Sequence, residues 1–502
     1  MSDWPELSID ELKASTKNSI AMGPFGSRIK AESFVKSGVP IIKGGNLNGD
    51  FILENKFEFL TEEKATELRT SNAFRRDIVI THRGTIGQVG IIPDNSKFER
   101  YVVSQSQLKV TLDQEKVNPY FVYYFLRSPL GQHRLLLNAS QVGVPAIAQA
   151  STSVKGIMVP CPDKEIQDRV VEIFLSLDHK IELNQQTNKT LEQIAQAIFK
   201  NWFVDFEPVK AKIIAKEKGG DELAQSLAAQ AVICGAITLE QLQNLENDYR
   251  GLEAQLHPLI TNKFPNEIGG LDYWSPKILQ KVADLFPGNL VESEIGEIPD
   301  GWDANPLGQY LEIKRGGSPR PIKEYIVEKG LPWTKIADAT KEPSPFLFRT
   351  KECIKEEGLK KTILLKKGSL ILSNSATPGM PKFLELDACI HDGWLHFPQK
   401  RLFSDLYLFQ LFLEIKKELI AQGNGSVFTN LKTDILRNQV VVAPEKEIIS
   451  VFDKSVSLIF EKVKENCKEI NVLTSLKDSL LPKLLSGETI IGKAQSSAEA
   501  EA

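Results

Sequence analysis

His391 and His396, five singly placed cysteines and a Ser-rich "STSVK" stretch (151–155) are the residues whose types could do chemistry. The two histidines stand five apart, off helical spacing, and no cysteine lies near enough to complete a metal set. A loop-and-strand placement accounts for them. Cys161, Cys234, Cys353, Cys389 and Cys467 show no CxxC spacing, and their number is odd. That pattern fits a reducing cytosol and argues against disulfides or zinc. The Ser-x-Lys of "STSVK" has no partner motif elsewhere.

Larger catalytic signatures are missing from the sequence. It has no GxxxxGK[ST] loop, no HExxH and no GxSxG. "NPYF" (118–121) is similar to the NPP[YF] loop of amino-methyltransferases but lacks the second proline. It opens a helical stretch whose counterpart, "SDLY" (404–407), has lost the pattern, and no FxGxG-like cofactor loop accompanies it. The expectation is a chain without an active site or a cofactor of its own.

The elements that position side chains have to be found from organisation instead. A length of 502 residues suggests two to four domains. Hydrophobic content of 42% and charge of 25% are those of a globular protein. No apolar run approaches the length of a membrane span, and the first residues are acidic without a signal region. A cytoplasmic protein with no membrane partner is expected. Net charge is −4, but it is unevenly spread. Residues 17–110 carry +4 and 311–382 carry +7, flanking −8 over 205–300. On charge alone, solvated surface is favoured over a nucleic-acid footprint.

The chain repeats itself. Trp4 aligns with Trp302, Gly38-Val39-Pro40 with Gly330-Leu331-Pro332, and "DIVITHRGTIG" (77–87) with "SLILSNSATPG" (369–379). Asn118-Pro119 aligns with Ser404-Asp405, both reading as a helix cap and first turn, and "VPCPDKEI" (159–166) aligns with "VVAPEKEI" (441–448). The offset falls steadily from 298 to 282, as small loop deletions would make it fall. Each half reads as a mixed α/β globule of about 150 residues. Asp77–Thr81 and Ser369–Ser373 are expected as buried strands leading into Gly-, Ser-, Thr- and Asn-rich loops.

Each globule ends in a long helical pattern. Ile166, Val170, Ile173, Leu177, Ile181, Asn184, Asn188, Leu191, Ala195, Ile198 and Trp202 step by three or four. Ile448, Phe452, Val456, Ile459, Val463, Asn466, Ile470, Leu473, Leu476 and Leu480 do the same. Such seams predict a coiled coil, with each helix of ~40 residues spanning roughly 60 Å. Asn184 and Asn466 fall at equivalent places, where they could either fix register or lie exposed. Two globules on a stiff spacer suggest a ruler, and the repeat of DNA turns distance into register.

These features resemble the specificity subunit of type I restriction–modification enzymes. The most specific pieces are "AIFKNWFVDFEPVKAK" (197–212), "LFPGNLVESEIGEIPDGW" (285–302) and "LTSLKDSLLPKLLSGE" (473–488). With them go the two globules, each closed by a Pro-(Asp/Glu)-x-Glu-Ile helix start. The resemblance implies an α+β fold with two pseudo-repeated mixed α/β target-recognition domains. Two long antiparallel helices separate them as an intramolecular coiled coil in a pseudo-twofold arrangement. Residues 1–160 would be the first domain, 161–207 the first spacer helix and 208–290 an acidic, largely helical connector. Residues 291–443 would be the second domain, 444–487 the second helix and 488–502 a flexible tail.

By the same resemblance, each domain grips half of a bipartite target on double-stranded DNA, and the helices set the spacer. Two methyltransferase (modification) subunits carrying S-adenosylmethionine, and two restriction/translocase subunits using ATP and Mg, would be the partners. All catalysis would be theirs. Arg or Lys suits guanine, and Asn or Gln suits adenine. The DNA-contact candidates in the first domain are therefore Arg28, Lys43, Asn46, His82, Arg83, Thr85, Gln105 and Gln141. In the second they are Arg315, Ser318, Arg320, Lys335, Asn374, Ser375, Thr377, Asn424 and Ser426. For any one of them, phosphate contact or plain surface remains the competing role. Trp202, Phe203 and Phe206 stand open between core packing and a docking patch for a modification subunit. Trp4 and Trp302 are expected in cores.

Two rivals differ in class. A single-chain enzyme that recognises and modifies DNA would need the missing cofactor and nuclease motifs. A bivalent coiled-coil scaffold for proteins would not need basic segments matched in both halves.

Overall fold

Short β-branched runs bounded by turn residues form strands here, and the sheets they make recur in both halves. The computed structural model describes residues 4–47, 49, 51–54, 57–140, 143–245, 256, 258, 276–422 and 431–488. The chain divides into two units, residues 1–184 with 468–502 and residues 185–467. The fold is α+β.

In the first unit a four-stranded antiparallel sheet runs in the order Ile20–Met22, Gln107–Val110, Ile78–Thr81, Val89–Ile91. A five-stranded mixed sheet runs Phe34–Val35, Glu58–Leu60, Val39–Ile42, Tyr101–Val103, Asn72–Ala73. Within it only Val39–Ile42 and Tyr101–Val103 are parallel. Ile78–Thr81 is buried along its length, as its apolar composition requires. It starts one residue later than expected because Asp77, 2% exposed, turns its Oδ2 back to accept from Phe74 N at 2.9 Å. The helix Pro119–Arg127 is capped by Asn118, which accepts from Tyr120 N, and Pro119 occupies the first turn, where its missing N–H costs nothing. "NPYF" is thus a helix start.

The second unit repeats the plan. One sheet runs Lys314–Arg315, Trp394–His396, Leu370–Ser373, Pro381–Leu384, Phe346–Leu347. The other runs Ile326–Val327, Glu352–Ile354, Leu331–Thr334, Ala388–Ile390, Ile363–Leu365. Leu331–Thr334 is parallel to Ala388–Ile390, matching the parallel pair of the first unit. The closing pair Glu6–Ser8 with Met158–Pro160 is matched by Asp303–Pro306 with Val440–Ala443. The second start, "SEIGEIPDGW", is a hairpin of Leu290–Ser293 and Gly296–Pro299 that delivers Trp302 into the core at 5% exposure. Connector helices Glu207–Glu217 and Glu222–Ile233 pack through alanines such as Ala211, Ala215, Ala224 and Ala228.

The long helices are Lys164–Phe203 and Lys446–Leu485, 40 residues each. Both units contain a portion of each helix. In the first unit Lys477 forms a buried ion pair with Asp178, whose Oδ2 also accepts from Tyr124 Oη at 2.7 Å. Lys180 and Asn184 reach Glu469 at 3.2 and 2.8 Å. In the second unit Asn188 meets Asn466, while Phe199 packs on Phe452 at 5.8 Å between ring centroids. In both, partners fall in number as the first helix advances, so the pairing is antiparallel. Asn184 and Asn466 are 5% and 3% exposed, which removes the exposed alternative. Among the described residues no helix is long and apolar enough to cross a membrane.

Candidate nucleic-acid interface

Each unit builds one corner where three strand ends meet. In the first, Thr81 lies opposite Gln107, and the chain turns through Gly84 and Gly87, both at φ +88°. His82 N donates to Ser106 O at 3.0 Å, and its Nε2 lies 3.2 Å from the Gln105 carbonyl. In the second, Ser373 lies opposite Trp394. Asn374 N donates to Gly393 O at 2.8 Å, and Asn374 Nδ2 to the Asp392 carbonyl at 3.4 Å. The turn passes through Ala376 and Gly379 at φ +58° and +76°. Left-handed backbone costs an alanine about 1 kcal/mol or more, and such cost is tolerated where geometry is held by function. Gly84 and Ala376 occupy the same place.

The backbone frame is common, but the side chains within it are not. Gln107 Nε2 donates to Thr81 Oγ1 at 3.2 Å, Thr81 Oγ1 to Gln88 Oε1 at 3.0 Å, and Gln88 Nε2 to Gly44 O at 3.2 Å. Trp394, fully buried, replaces Gln107 in the second unit. One pair is kept in both: Lys43 with Glu58 at 2.6 Å, and Lys335 with Glu352.

Exposed on these frames are Arg28, Arg83, Thr85 and Gln105 in the first unit, and Arg315, Arg320 and Thr377 in the second. Ser318 and Ser375 are partly exposed. The structure corrects three candidates. Asn46 is 7% exposed, its Oδ1 accepting from Lys43 N and its Nδ2 donating to Leu53 O. His82 and Asn374, at 7% and 3%, are tied to the corner carbonyls. These three are buried in the frame and bond to its backbone, and Asn374 Oδ1 is buried without a hydrogen-bond partner. Lys43 and Lys335 are part-buried and ion-paired, so their charge is partly neutralised before any DNA arrives. Gln141, Asn424 and Ser426 lie outside the described residues.

Trp202, Phe203 and Phe206 take the core-packing alternative. At 1%, 5% and 8% exposure they belong to the core of the second unit. Trp202 packs on Phe286 at 5.5 Å, Phe203 on Tyr407 at 4.9 Å and Phe206 on Trp302 at 5.8 Å. The hairpin and connector cover what would otherwise have been an aromatic patch.

The residue that sequence reasoning missed is Asp392. It lies in "HDGW" (391–394), a turn after a short strand, in the place of Gln105. Ser318 Oγ donates to Asp392 Oδ1 at 2.7 Å, and Arg320 Nη2 lies 3.5 Å from Oδ2. Arg315 Nε donates to the Asp392 carbonyl. Partial burial favours the neutral carboxyl, but the Ser318 hydrogen bond and the charges of His391, Arg315 and Arg320 hold it below the ordinary value. Burial pushes the imidazoles of His82, His391 and His396 below their ordinary value. Among the described residues no group of three potential ligands could hold a metal.

The sequence matches the family model described as the type I restriction modification DNA specificity domain, over residues 23–193 and again over 299–474. It is 29% identical to the type I restriction enzyme HindI specificity subunit of Haemophilus influenzae, across 97% of this chain and all of that one. It is 23% identical to the MjaIX specificity subunit of Methanocaldococcus jannaschii, across 88% and 84%. A solved type I restriction–modification S subunit from M. genitalium aligns over 96% of both chains at 16% identity and a TM-score of 0.49. With the family model matched once in each half of the repeat, the chain belongs to the type I restriction–modification DNA specificity family.

Proposed function

We propose that this chain is the DNA-specificity subunit of a type I restriction–modification system and performs no catalysis itself. Each unit's sheet corner presents exposed polar residues to one half of a split target on double-stranded DNA. The paired helices set the unspecified spacer between the halves. Methyltransferase subunits, two by the family pattern, bring S-adenosylmethionine and modify adenine. Two restriction subunits bring ATP, Mg and the nuclease, and the complex works in the cytoplasm.

The observation that carries this proposal is the matched corner. His82 to Gln105 and Asn374 to Asp392 are the same contact on the same frame, while the exposed residues around them differ. A common frame with divergent display is what two readers of different sequences need. Methylome sequencing of a host expressing the chain with its methyltransferase tests it. One split motif is expected, and exchange of residues 1–158 with those of a relative should change one half only. Both halves changing together, or no motif, would count against it.

A further inference from the structure

The second corner holds a charged pair that the first lacks. Arg315 lies opposite Leu395 in the strand pairing, and Met22 lies opposite Leu108 at the equivalent register of the first unit. Asp392 stands where the first unit has Gln105. Arginine and aspartate in one corner are thus replaced together by methionine and glutamine in the other.

The geometry assigns a purpose to the pair. Arg315 donates its Nε to the Asp392 carbonyl, which leaves the two terminal amino groups of its guanidinium as an end-on fork. Arg320, with a side chain 73% exposed, is held from one edge by Asp392 Oδ2 and keeps its remaining donors outward. Ser318 fixes the carboxylate from the other side at 2.7 Å. A forked donor in a fixed direction suits the O6 and N7 acceptors of guanine in the major groove. A loose arginine of the same charge suits any phosphate. Fixing the side chain beforehand also lowers the ordering cost of binding.

We propose that Asp392 is a positioning residue for sequence specificity: its carboxylate, fixed by Ser318, holds Arg320, beside Arg315 on the main-chain carbonyl of the same residue, so that Arg320 reads a guanine in the half-target of the second unit. The proposal rests on the reading of the two corners as DNA heads. Asp392 brings negative charge towards a polyanion, which opposes affinity and is retained because it directs Arg320.

The test uses the assembled complex with its methyltransferase. Methylomes are compared for the wild type, Asp392→Asn, Asp392→Glu and the double change Arg315→Met with Asp392→Gln, which installs the first corner's own pair. The expected wild-type motif has an invariant guanine in one half. Asp392→Asn and the double variant relax that position and leave the other half intact, which also shows that the complex has assembled. In duplex binding, Asp392→Asn loses roughly 5- to 150-fold of discrimination at that base pair. Its affinity for unrelated duplex stays equal or rises, because a negative charge has gone. Asp392→Glu retains discrimination. Three results overturn the proposal: undiminished discrimination in Asp392→Asn, an equal loss on all duplexes, or a wild-type half-motif without guanine. A wild type that methylates no split motif overturns the DNA-head reading itself, and the proposal with it.

Discussion

Asn466 Nδ2 donates to Asn188 Oδ1 at 2.8 Å across the paired helices of the second unit, and both residues are buried. Asn188 Nδ2 also approaches Cys467 Sγ at 3.3 Å. An amide pair in an apolar seam disfavours sliding, because any shift leaves both groups unpaired. Asn188→Leu alone should lower stability by about 1–3 kcal/mol, since it strands Asn466 in the core. The double change of Asn188 and Asn466 to Leu should recover most of that loss. Urea midpoints for both single variants and the double provide the cycle, and additive losses would show that the pair does not act as a unit.

Trp202 makes a second expectation sharp. Its indole is packed by Phe203, Phe286 and Phe452 with ring centroids 5.5–6.1 Å apart. Trp202→Ala should cost about 3–5 kcal/mol. The loss should appear as a lowered melting temperature of the isolated chain. If melting is unchanged while methyltransferase binding is lost, the side chain is a docking residue after all.

The repeat, both long helices, the buried strands and the Asn118 cap were legible because each depends on local spacing or composition. The site was only half legible. Residue type suggested Arg83, Arg315 and Arg320, which the fold leaves exposed, but it could not tell Asn374 from a surface asparagine. Whether an amide faces water or a carbonyl depends on a strand about 18 residues later in the chain, and Asn374 meets Asp392 only through the sheet. Asp392 was invisible for the same reason, since an acidic residue in a turn is ordinarily solvated. The aromatic cluster stayed open between core and docking because its cover, Phe286 and Trp302, arrives some 80 to 100 residues further along.

Arg83 offers a contrast to the buttressed arginines. It is exposed beside Gly84, and among the described residues no side-chain partner is recorded for it. A cation without fixed direction is suited to phosphate. Arg83→Ala should weaken binding to all duplexes similarly and reduce the slope of log K against log salt by about 0.9. The methylation motif should stay unchanged. A relaxed base in one half-motif would instead make Arg83 a base reader.

Glu192 gives the second unit a pH dependence. It sits part-buried on the first long helix, and burial pushes its carboxyl up to about 7, although the charge of Lys382 pulls the other way. Lys382 donates to the Glu342 carbonyl at 2.6 Å and to the Ser344 carbonyl. Burial brings its own value down to about 8, against the attraction of Glu342 and Glu192. For a carboxyl raised on folding, the native state holds the proton more tightly. The stability this gives is full below the ordinary value near 4.5 and is lost as pH rises through about 7. Lys382, lowered on folding, has its window higher, losing stability as pH falls from about 10.5 through 8. Glu192→Gln is neutral at every pH, so it should match the wild type near pH 4.5. At pH 8 it should exceed the wild type by on the order of 1–3 kcal/mol. Urea midpoints of the two proteins at pH 5 and pH 8 measure this, since titrating groups other than Lys382, which interacts with Glu192, cancel in the difference. A gap that does not widen towards pH 8 would mean that Glu192 is ionised in the fold from the start.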